Sequence, residues 1–143
     1  MKHCDLIVTA AWGATADDKN TLIADGGVAI ANGKVVAVGP ATTLRSTFSA
    51  KDSIHRAGSL LLPGLINTHT HAAMALMRGV ADDVPLETWL SNHIWPLEAQ
   101  HVGSDFVRDG TRLALAEMIK GGVACFGDMY FSPDIVAEVA CEP

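Results

Sequence analysis

The sequence predicts an α/β protein, with a small β unit over residues 1–58 and the opening of a parallel α/β domain over residues 59–143. Three observations predict it. Residues 26–39 (GGVAIANGKVVAVG) carry a hairpin signal. Residues 59–68 (SLLLPGLINT) form an apolar run of the kind found in strands buried on both faces of a parallel sheet. Beyond that run the pattern alternates strand, helices, strand, helix, which is the order of a parallel α/β architecture.

In the first segment, Leu6, Ile7 and Val8 mark a strand. Asn32-Gly33 tolerates the positive φ angles of a type I′ turn, so a two-residue loop pairs Ile30 with Val35 and Val28 with Ala37. Residues 42–48 read as a short helix and residues 53–56 as a returning strand. Pro63-Gly64 interrupts the apolar run and marks where one unit hands over to the next. Helical patterns follow at residues 72–77, 86–93 and 105–120. Ser104 is the expected N-cap of the last, with Phe106, Leu113, Ala116 and Ile119 at helical spacing. Gly121-Gly122 stops that helix, and residues 123–126 (VACF) read as a second short buried strand. Ser132-Pro133-Asp134 supplies an N-cap with proline at the first helical position. Two parallel strands cannot close a barrel, and the pattern stops inside a helix at Pro143. The remaining strands are therefore expected from the same gene product or from another chain.

Composition narrows the function classes. Hydrophobic residues make up 49% of the 143 residues and charged residues 18%, enough apolar content to bury a core. The formal charge of −6 argues against a nucleic-acid binder, which carries a basic patch or stripe. No apolar stretch approaches the roughly 20 residues of a membrane span, so no membrane partner is expected. Met1-Lys2-His3-Cys4-Asp5 meets an acidic residue before any apolar run, unlike a signal peptide. Cys4, Cys125 and Cys141 form no CxxC pair and read as free thiols, Cys125 as a small buried hydrophobe. A soluble, cytoplasmic protein is expected, with homo-oligomerisation left open.

The sharpest chemical signal is Thr68-His69-Thr70-His71, directly after the first buried-type strand. Side chains two apart on a strand share a face, so His69 and His71 can converge on one ion. The carboxyl end of a parallel strand is also where active sites of α/β folds collect. Neutral imidazole suits zinc and similar divalent metals, but a catalytic metal usually has three protein ligands. An isolated HxH is common by chance, so the weight rests on what surrounds it. His93 and His101 have no partner at useful spacing, His55 reads as a surface residue of the β unit, Arg78 reads as covering a helix, and Trp95 reads as structural. No GxSxG, P-loop, GxGxxG or HxE…PCxxC pattern is present.

The string Leu60-Leu61-Leu62-Pro63-Gly64-Leu65-Ile66-Asn67 running into THTH resembles the start of the (β/α)8 barrel in the amidohydrolase superfamily. The β-rich segment before it is similar to the N-terminal part of that superfamily's small β-sandwich domain. Further segments narrow the resemblance: ALMRG at 75–79, PLETWL at 85–90, HIWPLE at 93–98 and GGVACFGDMYF at 121–131. Together they resemble the 5-methylthioadenosine/S-adenosylhomocysteine deaminases, relatives of the s-triazine chlorohydrolases.

The resemblance implies hydrolytic deamination at C6 of an adenosine-type nucleoside (5-methylthioadenosine, S-adenosylhomocysteine or adenosine), in which a bound divalent metal activates water and ammonia leaves. It assigns His69 and His71 as the first two metal ligands. Zinc is the default ion, with iron(II) or manganese(II) suiting the same ligands. Glu98 matches the carboxylate that receives the ribose hydroxyls, and Trp89 a position beside the substrate. The family's remaining metal ligands and its acid/base glutamate come from later strands, and no residue in 72–143 matches them. No catalytic acid or base is therefore expected in this segment, and the segment alone is expected to be inactive. Three alternatives stand beside this reading: hydrolysis of an s-triazine or other heterocycle, a non-catalytic amidohydrolase-like scaffold, and an independent metal-binding module.

Overall fold

A central strand of 13 residues, β1 (Lys2–Ala14), organises the first part of the chain. Residues 1–142 are described by a computed structural model, which divides into two compact units between Pro63 and Gly64. In the first unit, β1 pairs antiparallel with β2 (Leu22–Ala24) and β3 (Gly26–Ala31). Along its other edge it pairs parallel with β5 (Phe48–Leu61). β4 (Lys34–Pro40) pairs antiparallel with β3, and α1 (Ala41–Thr47) joins β4 to β5. Leu44 of α1 packs with Cys4 and Ile7 of β1, Ala29 of β3 and Phe48 of β5, which forms the core of this unit.

The residues of this unit form one five-stranded sheet with a helix against it. One detail differs from the sequence expectation: the division lies beyond residue 58, because β5 continues to pair Leu60 with Trp12 and Leu61 with Gly13. That parallel pairing joins segments about 48 residues apart in the chain. Local patterning carries no trace of it.

The Asn32-Gly33 turn forms with φ of 52° and 71°, the left-handed region that a type I′ turn requires. Ile30 faces Val35 as expected. A bulge between Ala29 and Ile30 then shifts the register, so Val28 faces Val38 and Ala37 faces Ala29. Asp5 Oδ2 accepts a hydrogen bond from the Asn32 N–H at 2.6 Å, tying the turn to β1. A Cβ on Gly33 would meet nothing within 4 Å, so Gly33→Ala carries only the backbone cost of a left-handed alanine. The expected loss is about 1 kcal/mol, read as a lower denaturant midpoint at unchanged m.

In the second unit, β6 (Leu65–Thr70) and β7 (Val123–Asp128) pair in parallel, with Leu65 beside Val123 and Thr70 beside Asp128. Parallel neighbours need a long crossover, and helices supply it. These are a 3₁₀ segment (Ala72–Met77), α2 (Leu86–Trp89), a π-helical turn (Leu90–Ile94), α3 (Trp95–His101) and α4 (Ser104–Lys120). α5 (Pro133–Ala140) follows β7. Ala73, Val107 and Val136 form the core that joins the 3₁₀ segment, α4 and α5. Among the described residues no helix is long and apolar enough to cross a membrane.

Several sequence expectations are corrected here. The β6 and β7 strands are not buried on both faces: Ile66 is 69% exposed and Cys125 is exposed, because each strand has only the other as a neighbour. The buried stripe of α4 is Val107, Gly110, Thr111 and Ala114; of the residues expected inside, Phe106 is half-buried and packs against this core, whereas Leu113, Ala116 and Ile119 are exposed. Small residues face inward because the backbone of the 3₁₀ segment lies directly against them, which leaves Ile119 73% exposed. The N-cap of α4 is Gly103, with Ser104 already helical. Ser132 does sit at the N-cap of α5. It does so with φ of 53° and no side-chain cap bond, and its carbonyl accepts from the Ile135 N–H at 3.0 Å.

Candidate functional site

The carboxyl ends of β6 and β7 are held together by one carboxylate. Asp128, the last residue of β7, accepts the Ala72 N–H through Oδ1 at 2.7 Å and the Tyr130 N–H through Oδ2 at 3.1 Å. Thr70 O accepts from the Met129 N–H at 3.0 Å. These bonds fix the backbone on either side of His71 and bring Tyr130 to it. The two segments are more than 50 residues apart in sequence.

His69 is the penultimate residue of β6 and His71 follows its end; their ring centres are 5.2 Å apart with the planes at 87°. Two imidazoles bound through ring nitrogens at about 2.0–2.1 Å to one tetrahedral ion would place their centres about 5 Å apart. The observed spacing fits a shared ion. His71 Nδ1 is enclosed and has no hydrogen-bond partner, as expected of a polar group whose partner is not supplied by these residues. Among the described residues no group of three or more His, Cys, Asp or Glu side chains is placed to hold a metal.

Beside His71 lies a cleft of roughly 450 Å³ lined by His71, Met74, Leu86, Trp89, Leu90, Trp95, Glu98, Met129, Tyr130 and Phe131, with Ile94 beneath. Trp89, Glu98 and His71, expected in one site, do share it. His69 stands next to His71 without lining the cleft. The indole of Trp89 is fixed by its Nε1–H, which donates to Val80 O at 3.0 Å. Trp95, read from sequence as structural, is 56% exposed and belongs to the cleft wall.

The π-helical turn is what allows Trp89 and Glu98 to meet. Nine residues of regular α-helix, at 3.6 per turn, would place them about 180° apart. The wider turn at Leu90–Ile94 removes much of that rotation and brings both to the same cleft. Its cause is Pro96, which lacks an N–H and would press its ring on the carbonyl four residues earlier.

Sequence reasoning missed Tyr130. Its hydroxyl donates to Glu98 Oε1 at 2.8 Å, and its ring stands edge-on to His71 (6.0 Å between centres) and to Phe131 (4.9 Å). Burial raises its pKa most, and the hydrogen bond to Glu98 and that carboxylate's charge raise it further. The hydroxyl therefore stays protonated, and a donor, past pH 10. The signal that pointed to it was the strand-end position of Asp128 with a tyrosine two residues on. Arg78 lies outside the cleft and forms a two-pronged ion pair with Glu117 of α4.

Residues 60–142 match the amidohydrolase family, and residues 26–48 match an imidazolonepropionase-like composite domain of bacteria. The chain is 45% identical over 138 residues to the 5-methylthioadenosine/S-adenosylhomocysteine deaminase of Saccharophagus degradans, covering 96% of this chain and 31% of that protein. It is 48% identical over 138 residues to the enzyme of the same name from Syntrophobacter fumaroxidans, with the same coverage. Among solved structures it is similar to an adenosine deaminase from Xanthomonas campestris with bound zinc, at a TM-score of 0.92 and 44% identity over 96% of this chain and 31% of that one. An atrazine chlorohydrolase from Arthrobacter aurescens, complexed with zinc, gives a TM-score of 0.80 at 26% identity, over 94% of this chain and 33% of that one. The chain thus spans about a third of the length of these relatives. With 83 of its 143 residues inside the family match, and with paired histidines at the end of its first parallel strand, the chain belongs to the amidohydrolase family.

Proposed function

We propose that the protein containing this chain is a metal-dependent hydrolase that deaminates an adenosine-type nucleoside, and that the second unit contributes the first βα units of its barrel. The observation that carries the reading is the pairing of His69 and His71, 5.2 Å apart, beside a cleft that also presents Glu98 and Trp89. His69 and His71 would hold one divalent cation, zinc by preference, since the solved adenosine deaminase carries zinc. Such a cation supplies Lewis acidity and activation of water near neutral pH.

The residues of this chain bind and orient the substrate. Glu98 accepts hydrogen bonds from the ribose hydroxyls, each strengthened by the charge of the carboxylate. Trp89, locked by its bond to Val80 O, offers an aromatic face to the base, a contact worth on the order of 1–3 kcal/mol. The apolar walls formed by Met74, Leu86, Leu90 and Phe131 exclude water around the bound nucleoside. Proton transfer to the purine and the departing amine falls to groups on later strands.

Glu98 separates this reading from triazine hydrolysis, because a small chlorotriazine has no diol for it to engage. A parallel assay of the full-length enzyme with methylthioadenosine, S-adenosylhomocysteine, adenosine and a chlorotriazine tests it. Ammonia release from the nucleosides is expected, with Glu98→Gln raising KM for them by tenfold or more. Turnover of the chlorotriazine alone would reverse the assignment. Absence of bound metal and of any turnover would favour a scaffold.

A further inference from the structure

We propose that Tyr130 is a specificity-determining positioning residue: by holding one oxygen of Glu98, it presents the other to the vicinal hydroxyls of a ribonucleoside. The inference rests on the reading of Glu98 as the sugar contact.

A glutamate side chain on a cleft wall has three rotatable bonds and loses much freedom when ordered. The Tyr130 hydroxyl is the one protein hydrogen bond to the Glu98 carboxylate among the described residues, and it engages Oε1 alone. A carboxylate has about four acceptor positions, so Oε2 and the second lone pair of Oε1 stay available, side by side. Two adjacent hydroxyls of a cis-diol match that pair of acceptors. A single hydroxyl does not.

The donor is itself fixed. The Tyr130 N–H is bonded to Asp128, and its ring is packed edge-on between His71 and Phe131. One ring therefore touches the histidine at the metal-binding end and, through its hydroxyl, the carboxylate at the sugar end. It sets the spacing between the two ends of the substrate.

The test compares Tyr130→Phe, Glu98→Gln and the double variant in the full-length enzyme, with a ribonucleoside and its 2′-deoxy and 3′-deoxy counterparts. Tyr130→Phe is expected to raise KM for the ribonucleoside roughly tenfold with kcat within about twofold, and to leave the deoxy substrates nearly unchanged. The double variant should lose no more than Glu98→Gln alone. Should Glu98→Gln lose diol preference while Tyr130→Phe keeps it, the positioning role is wrong and the reading of Glu98 stands. Should Glu98→Gln itself leave diol preference intact, both fall together. Equal loss by Tyr130→Phe with every substrate would mark a merely structural tyrosine and overturn the inference.

Discussion

His71→Ala is expected to lower the metal affinity of the full-length enzyme by more than about a hundredfold, beyond the 10–100-fold typical of losing a supporting contact. On the proposed reading the imidazole is one of a pair whose 5.2 Å spacing suits a single ion, so its removal leaves one of the two ligands from this chain. Metal content after dialysis against a chelator, measured by elemental analysis, gives the result directly. His69→Ala should behave alike. His93→Ala and His101→Ala, outside the cleft, should retain the wild-type metal content. A His71→Ala protein that keeps a full equivalent of zinc would remove the foundation of the proposed chemistry.

What could be read from sequence was what depends on near neighbours in the chain. The Asn32-Gly33 turn was legible because positive φ is a property of those two residues. The closeness of His69 and His71 was legible because they are two residues apart at the end of one strand, although His71 already lies past it. The parallel pairing of β6 with β7 followed from the alternation of strand and helix. The convergence of Trp89 and Glu98 was not legible from helical periodicity, which would separate them. Only the consequence of Pro96 for the turn before it brings them together. The role of Tyr130 was missed for another reason: its partner lies 32 residues away on a different element. The inward face of α4 was misjudged because size, not hydrophobicity, decided it. A neighbouring backbone at close range admits glycine, threonine and alanine before leucine or isoleucine.

That close approach makes Gly110 the most sensitive backbone position near the site. A Cβ built there would overlap the Ala73 carbonyl oxygen and lie 2.8 Å from Ala73 Cα, and these are main-chain atoms with no rotamer to escape into. Gly110→Ala is therefore expected to cost about 3 kcal/mol, the upper end for overpacking, although alanine is the better helix former. Gly103→Ala at the N-cap of the same helix meets nothing within 4 Å and should cost only about 1 kcal/mol, the loss of a favourable cap. The consequence extends beyond stability. Ala73 lies two residues from His71, and relief of the overlap must move either α4 or the 3₁₀ segment that begins at Ala72. Movement of that segment would strain the Ala72–Asp128 bond and tilt the His71 ring away from His69. Urea titration should show a lower midpoint at unchanged m, and the same preparation should bind metal more weakly than Gly103→Ala. A Gly110→Ala protein with wild-type stability and metal affinity would mean that α4 and the 3₁₀ segment pack less tightly than their contact indicates.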